Sequence, residues 1–139
     1  MKSLENKCVD VVVTSPPYNI GKSYTAYEDD LDPEEYAEWC REWATQIART
    51  LRSDGSFFLN LGASSGNPFF PFQVAKEMTA CGFQLQNTIH WIKSISIERE
   101  DGTSSYGHFK PINSDRFLND CQEYVFHFTK DGRKPRWRP

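Results

Sequence analysis

The stretch "VVVTSPPYN", Val11 to Asn19, decides how the chain reads. Val9–Thr14 is a β-branched apolar run and reads as a short strand buried on both faces. It stops on Ser15, Pro16, Pro17, Tyr18 and Asn19. Neither proline has a backbone N–H to give, so no sheet ladder continues through them. Their carbonyls are left rigidly aimed, without competing turn bonds. Ser15 adds a hydroxyl acceptor, and Tyr18 a ring on which a planar base can stack. Ligands of open α/β sheets sit beyond the carboxyl ends of strands, where this turn falls. The residues describe a pocket that holds an aromatic amine by its NH2 group and its π-face. Alone, Ser15–Tyr18 is equally well read as a strand-ending turn.

Outward from this strand, a loop through "NIGKSYTAYEDDL" leads to a helix. Asp32 suits the N-cap, Pro33 the first helical position, and Glu35 stands at capping-box spacing. Tyr36, Trp39, Cys40, Trp43, Ile47 and Leu51 form one apolar stripe, which assigns Trp39 and Trp43 to core packing. Ser53–Gly55 is expected to stop the helix. Ser56–Gly62 reads as a second buried strand, and "FFPFQVAKEMTACG" as a helix with Gly82 at its C-terminal end. Phe83–Lys93 and Cys121–Lys130 alternate apolar and polar residues and read as two more strands. Ser94–Asp120, polar and without periodicity, reads as a long loop. This order is an α/β layered pattern. Val9–Thr14 and Ser56–Leu61 are expected as parallel neighbours joined by the Pro33–Leu51 helix, and Phe83–Lys93 and Cys121–Lys130 as an antiparallel pair.

At 139 residues the chain has the size of one domain, or part of one, and aromatics make up 14% of it. Cys8, Cys40, Cys81 and Cys121 are too far apart for a zinc or redox motif. They read as reduced core thiols of a cytoplasmic protein. No secretory signal and no bilayer-length apolar run is present. No His, Cys and Asp set has metal spacing. Asp29, Asp30 and Asp32 read as loop acids and a helix cap rather than a cation site. His90 and His127, inside strands, read as structural. Net charge is −3, but Lys130, Arg133, Lys134, Arg136 and Arg138 against Asp131 give the last ten residues +4, leaving −7 elsewhere. Such a tail suits either phosphate contact or a solvated end.

The motif "TSPPYN" resembles the catalytic motif of the DNA amino-methyltransferases, which move a methyl group from S-adenosylmethionine to cytosine N4 or adenine N6. "EYAEWCREWATQIARTLRSDGSFFLNLG", "FQLQNTIHWIKS", "GHFKPINSDRFLND" and "QEYVFHFTK" resemble that family's next blocks, in the same order. The resemblance implies a Rossmann-like sheet with a late antiparallel strand inserted beside the rest, and a base flipped out of double-stranded DNA. It implies that Ser15 and the Pro16 carbonyl accept hydrogen bonds from the target amino group. Pro17 would fix the turn, Tyr18 stack on the base and Asn19 buttress the loop. His108, Lys110 and Arg116 are candidates for phosphate contact, with a solvated surface as the alternative. The family's Phe-x-Gly-x-Gly cofactor loop and its following strand-end acid have no counterpart here. Gly62–Gly66 has two glycines but follows a strand that aligns after the catalytic motif.

In the permuted subgroup, where the catalytic motif comes first, the cofactor motif lies further C-terminal. The expectation is therefore the catalytic half of a methyltransferase: an α/β, partial Rossmann-like sheet of about four strands over residues 1–130, with a flexible basic tail at 131–139. That half would be a truncated frame, a fragment or one partner of a split enzyme, with S-adenosylmethionine bound only by the complete enzyme. Ser15 favours cytosine N4, with adenine N6 as the alternative. Methylation of RNA or of a protein glutamine amide is disfavoured, because that motif usually begins with Asn. A further reading is a catalytically inactive fragment that folds and oligomerises through an exposed Val9–Thr14 edge.

Overall fold

The structure, a computed structural model, describes residues 3–23, 25, 29–93, 95–106, 115–116 and 121–130. In chain order its elements are β1 (Val9–Thr14), α1 (Pro33–Thr50), β2 (Leu51–Leu61), α2 (Phe70–Ala80), β3 (Phe83–Ile92), β4 (Ile95–Arg99), β5 (Gly102–Tyr106) and β6 (Gln122–Lys130). Four strands make one sheet in the order β1-β2-β6-β3, and β4 and β5 form a separate two-stranded sheet. β1 runs parallel to β2, with Val12 opposite Phe57. β6 runs antiparallel to both β2 and β3. The last strand in sequence is thus inserted between earlier ones, as the resemblance implied.

α1 forms where the sequence places it. Asp32 Oδ1 accepts the Glu34 N–H at 2.9 Å, and Pro33 occupies the first turn. The cap bond goes to Glu34 rather than along the expected capping-box spacing. Tyr36, Cys40, Ala44, Ile47 and Thr50 are buried, three or four residues apart. The apolar members of this stripe meet Phe57, Leu59, Phe126 and Phe128 of the sheet in one core. Trp39 and Trp43 are partly buried and pack against that core from the edge of the stripe. Arg41 bonds Glu34 and Glu38 on α1 and Glu77 on α2, each at 2.8 Å, and so ties the two helices. Gly82 takes a φ of 89° just past α2, as a helix-terminating glycine should.

Several expectations are corrected. α1 is not stopped by Ser53–Gly55. It ends at Thr50, and Leu51 turns directly into β2 with φ −66° and ψ 137°. Gly55 is a strand residue instead, at a point where a Cβ would lie 2.8 Å from the Asp10 carbonyl oxygen. β1 is not buried on both faces. It is an edge strand, with Val11 54% and Val13 71% exposed, because both helices pack on the other face. Ser94–Asp120 is not wholly loop, since β4 and β5 pair from Ile95 to Tyr106. Cys8 is exposed and Cys121 intermediate, so the core reading holds for Cys40, which burial pushes up to about 12, and for Cys81, which is partly buried and packs against the core. Lys130, counted with the basic end by its charge, lies in the strand as the Cys121–Lys130 reading placed it. It ends β6 and donates to the Ala48 and Leu51 carbonyls, at 2.7 and 3.1 Å, at the C-terminal end of α1. The rest of the tail lies outside the described residues. Among those described, no helix is long and apolar enough to cross a membrane.

Candidate active site

Strand direction gathers the site. β1, β2 and β3 all point one way and β6 the other. The residues just past three strands, Ser15, Gly62 and Lys93, therefore meet Glu123 near the start of β6. Glu123 sits opposite Trp91, and Tyr124 opposite Leu61. Ser15, Pro16, Pro17, Tyr18, Asn60, Trp91, Lys93 and Glu123 line one cavity of about 420 Å³. A larger one, about 670 Å³, lies on the other side of Tyr18 among α1, α2 and residues 62–67. The smaller cavity is the one that Ser15, Pro16 and Pro17 line, together with Lys93 and Glu123.

The loop after β1 is held rigidly. The Tyr36 hydroxyl on α1 donates to the Pro17 carbonyl at 2.6 Å. Asn19, at φ 55°, reaches Leu31 twice: Leu31 N–H donates to Asn19 Oδ1 and Asn19 Nδ2 donates to the Leu31 carbonyl, both at 2.7 Å. Left-handed φ is tolerated by Asn better than by most residues. Asp29, 3% exposed, accepts the N–H groups of Asn19, Ile20 and Lys22 at 2.9, 3.2 and 3.0 Å. Asp29 and Asp32 are thus a loop acid and a helix cap, and no metal cluster occurs among the described residues. Among those residues no donor reaches the Pro16 carbonyl.

Ser15 Oγ and the Tyr18 hydroxyl are 3.0 Å apart. Asn60 Nδ2 lies 3.2 Å from the Tyr18 hydroxyl and 2.7 Å from Glu123 Oε2, and Lys93 Nζ pairs with Glu123 Oε1. Burial pushes the Tyr18 phenol above its ordinary value, and the Glu123 charge adds to this against the Ser15 bond. Burial also pushes the Glu123 carboxyl up, but bonds from Lys93 and Asn60 outweigh it and hold Glu123 below the ordinary carboxylate range. The Tyr18 ring packs on Phe70, with centroids 5.9 Å apart. Its Cε2 lies 3.1 Å from where a Cβ of Gly62 would be, so glycine there admits the ring.

Ser15, Pro16, Pro17 and Tyr18 are therefore together, with Asn19 behind them. Arg116 is exposed, while His108 and Lys110 lie outside the described residues. Sequence reading missed Asn60, Trp91, Lys93 and Glu123. All four fall inside the quoted blocks, Asn60 in the "EYAEWCREWATQIARTLRSDGSFFLNLG" block and the others in "FQLQNTIHWIKS" and "QEYVFHFTK". Only the insertion of β6 between β2 and β3 brings them to Ser15. The donor set does not fit an S-adenosylmethionine site of the family's pattern. A Cβ at Gly62 would crowd the Tyr18 ring, and the strand after α2 runs out at Lys93, not at an acid.

Residues 9–138 match the family model described as DNA methylase (N6_N4_Mtase). The type II methyltransferase M.MjaVI of Methanocaldococcus jannaschii is 34% identical over 135 residues, covering 94% of this chain and 67% of that protein. The chain belongs to the N6/N4 DNA methylase family. Two solved structures share the fold. One is PvuII DNA methyltransferase (cytosine-N4-specific), with TM-score 0.67, 22% identity and coverage of 96% of this chain and 46% of that one. The other is the putative DNA modification methylase TTHA0409 of Thermus thermophilus, complexed with S-adenosyl-L-methionine, with TM-score 0.63, 20% identity and coverage of 97% and 54%. The chain spans about half the length of these solved structures.

Proposed function

We propose that this chain forms the methyl-acceptor side of a DNA amino-methyltransferase, acting on the exocyclic amino group of a base flipped out of double-stranded DNA. The observation that carries the reading is Ser15 Oγ and the Pro16 carbonyl beside Tyr18, on one cavity wall braced from α1 and Leu31. An amino nitrogen conjugated into a ring is a weak nucleophile. Two acceptors on its hydrogens concentrate lone-pair density on the nitrogen and stabilise the positive charge that develops as it takes the methyl group. The Tyr18 ring holds the base by stacking. S-adenosylmethionine is the methyl donor that the family resemblance supplies, and its binding is assigned to none of the described residues.

Cytosine N4 is the base we favour, because Ser heads the Pro-Pro-Tyr motif and the cytosine-N4-specific PvuII enzyme shares the fold. Adenine N6 is the second reading, since the family model spans both. An inactive chain that binds no cofactor alone is the third, favoured by the missing glycine-rich loop. Calorimetric titration with S-adenosylmethionine separates it from the others. Arg116, with His108 and Lys110, is proposed for phosphate contact.

The test is single-turnover transfer of labelled methyl to a short duplex. Tyr18→Ala should lose stacking worth roughly 1–3 kcal/mol, and Ser15→Ala should slow transfer. Unchanged rates for both would contradict the pocket.

A further inference from the structure

Tyr36 and Asn19 brace the backbone of the loop after β1, through the Pro17 carbonyl and through Leu31. The Tyr18 side chain needs a hold of its own. Its ring meets Phe70 at a tilt of 51°, with centroids 5.9 Å apart, and that contact leaves the far end of the ring to be fixed by something else. The far end is the hydroxyl, and the sheet reaches it there. Asn60 Nδ2 is 3.2 Å from the Tyr18 hydroxyl and 3.5 Å from Ser15 Oγ, and these two oxygens are 3.0 Å apart.

Asn60 is placed by the sheet, not by the loop. It lies on β2, an interior strand between β1 and β6. Its amide nitrogen is 2.7 Å from Glu123 Oε2 on β6, and Glu123 Oε1 pairs with Lys93, just past β3. An ionised carboxylate accepts hydrogen bonds and cannot donate, so Glu123 turns the NH2 end of the amide towards itself. One amide hydrogen goes to Glu123, and the other has Tyr18 and Ser15 within reach. It meets an oxygen there whichever of the two hydroxyls donates to the other. Asn60 Oδ1, at the opposite end of the amide, is buried without a partner among the described residues. An unpaired buried acceptor costs stability, so what holds the amide in this orientation is what its nitrogen bonds.

We propose that Asn60, anchored on Glu123, is a positioning residue that holds the Tyr18 hydroxyl beside Ser15. A base stacked on the ring then brings its amino group to Ser15 Oγ and the Pro16 carbonyl. This rests on the methyl-acceptor reading above and deepens it. Asn60 acts through Tyr18: it ties a ring carried by a loop to an interior strand, and strands hold a site more precisely than loops do. A ring that rocks at its hydroxyl end carries the base with it, and transfer that needs alignment slows.

The test uses the enzyme that carries this chain. Asn60→Leu keeps the size of the side chain and removes its bonds. It should slow single-turnover methyl transfer at saturating duplex roughly fivefold, the scale of one neutral hydrogen bond, with duplex affinity unchanged. Tyr18→Phe keeps the stacking ring, removes the hydroxyl and should slow transfer about as much. Added to Tyr18→Phe, Asn60→Leu should slow transfer no further, because it acts through that hydroxyl. A merely structural Asn60 would move the unfolding midpoint and leave these rates alone. Asn60→Ala takes the place of Asn60→Leu if the latter does not fold, and Tyr18→Phe remains if neither folds. An unchanged rate in the Asn60 variant or in Tyr18→Phe would overturn the proposal, as would an Asn60 effect equally large with and without the Tyr18 hydroxyl.

If the wild type transfers no methyl group, the functional reading fails, and the tether is judged on this chain by carbon-13 NMR. The Glu123 carboxyl and the Tyr18 phenol should both titrate higher in Asn60→Leu, because each loses a hydrogen that favours its charged form. A midpoint unmoved at either group would overturn the tether on its own.

Discussion

The Tyr36 hydroxyl and the Pro17 carbonyl are 2.6 Å apart, a bond that joins the first buried turn of α1 to the loop carrying Ser15 and Tyr18. Tyr36 is 4% exposed, so the donor is fixed in the core and its loss unties the loop from α1. Tyr36→Phe should destabilise the fold by about 1–2 kcal/mol, read from the urea midpoint. An unchanged midpoint would show that the loop is held elsewhere.

Asn19 supplies the other brace, and its two roles separate by substitution. Asn19→Gly keeps the left-handed backbone and loses both Leu31 bonds, whereas Asn19→Ala loses the bonds and strains φ 55°. Asn19→Ala should therefore be the less stable, by roughly 1 kcal/mol. Equal stabilities in thermal unfolding would remove the backbone part of the argument.

Gly62→Ala tests the packing of the Tyr18 ring. The added Cβ would sit 3.1 Å from Tyr18 Cε2 and 3.4 Å from Glu123 Cγ, so the ring must give by a few tenths of an ångström. Methyl transfer should slow several-fold while the unfolding midpoint moves little. A full-rate Gly62→Ala enzyme would show that Tyr18 does not need its observed place.

Stability should fall in acid in a defined order. Burial holds the His127 imidazole below its ordinary 6.5. Between that pH and the lower folded value the unfolded chain binds the extra proton, so stability rises with pH there. His127 thus contributes fully above pH 6.5 and loses its contribution as pH falls through the folded value. Glu123, held below 4.5, behaves likewise at lower pH. Urea midpoints should decline below pH 6.5, and less steeply in His127→Gln. The same decline in both proteins would contradict the assignment.

The Val9–Thr14 edge carries the prediction about assembly. Val11 and Val13 are exposed on an edge strand, the geometry that invites pairing with another chain. Sedimentation should show a dimer or larger assembly, and Val13→Lys should shift it towards monomer. A wild-type monomer would contradict this.

What was legible in the sequence was whatever is written locally. Asp32–Pro33, the Tyr36–Ile47 stripe and Gly82 placed the helices, and Ser15–Asn19 marked the loop after β1. What was not legible depends on strand order. The exposure of Val11 and Val13 follows from β1 lying at the edge, which a run of valines cannot announce. Lys93 and Glu123 lie 30 residues apart and become partners only because β6 enters between β2 and β3. The β-branched and polar alternation from Ile95 to Tyr106 was hidden by charge, and β4 and β5 were read as loop.

The claim at the centre of this account is that the Ser15–Tyr18 cavity presents an exocyclic amino group for methylation. The measurement that meets it most directly is chromatography of nucleosides from duplex DNA methylated by the enzyme that carries this chain. The account predicts N4-methylcytosine, lost in Ser15→Ala and reduced in Tyr18→Ala. N6-methyladenine would correct the base and keep the cavity. Methyl groups found on a ring carbon, as 5-methylcytosine, would contradict the account, because no acceptor pair on an amino group would then have a part in the reaction.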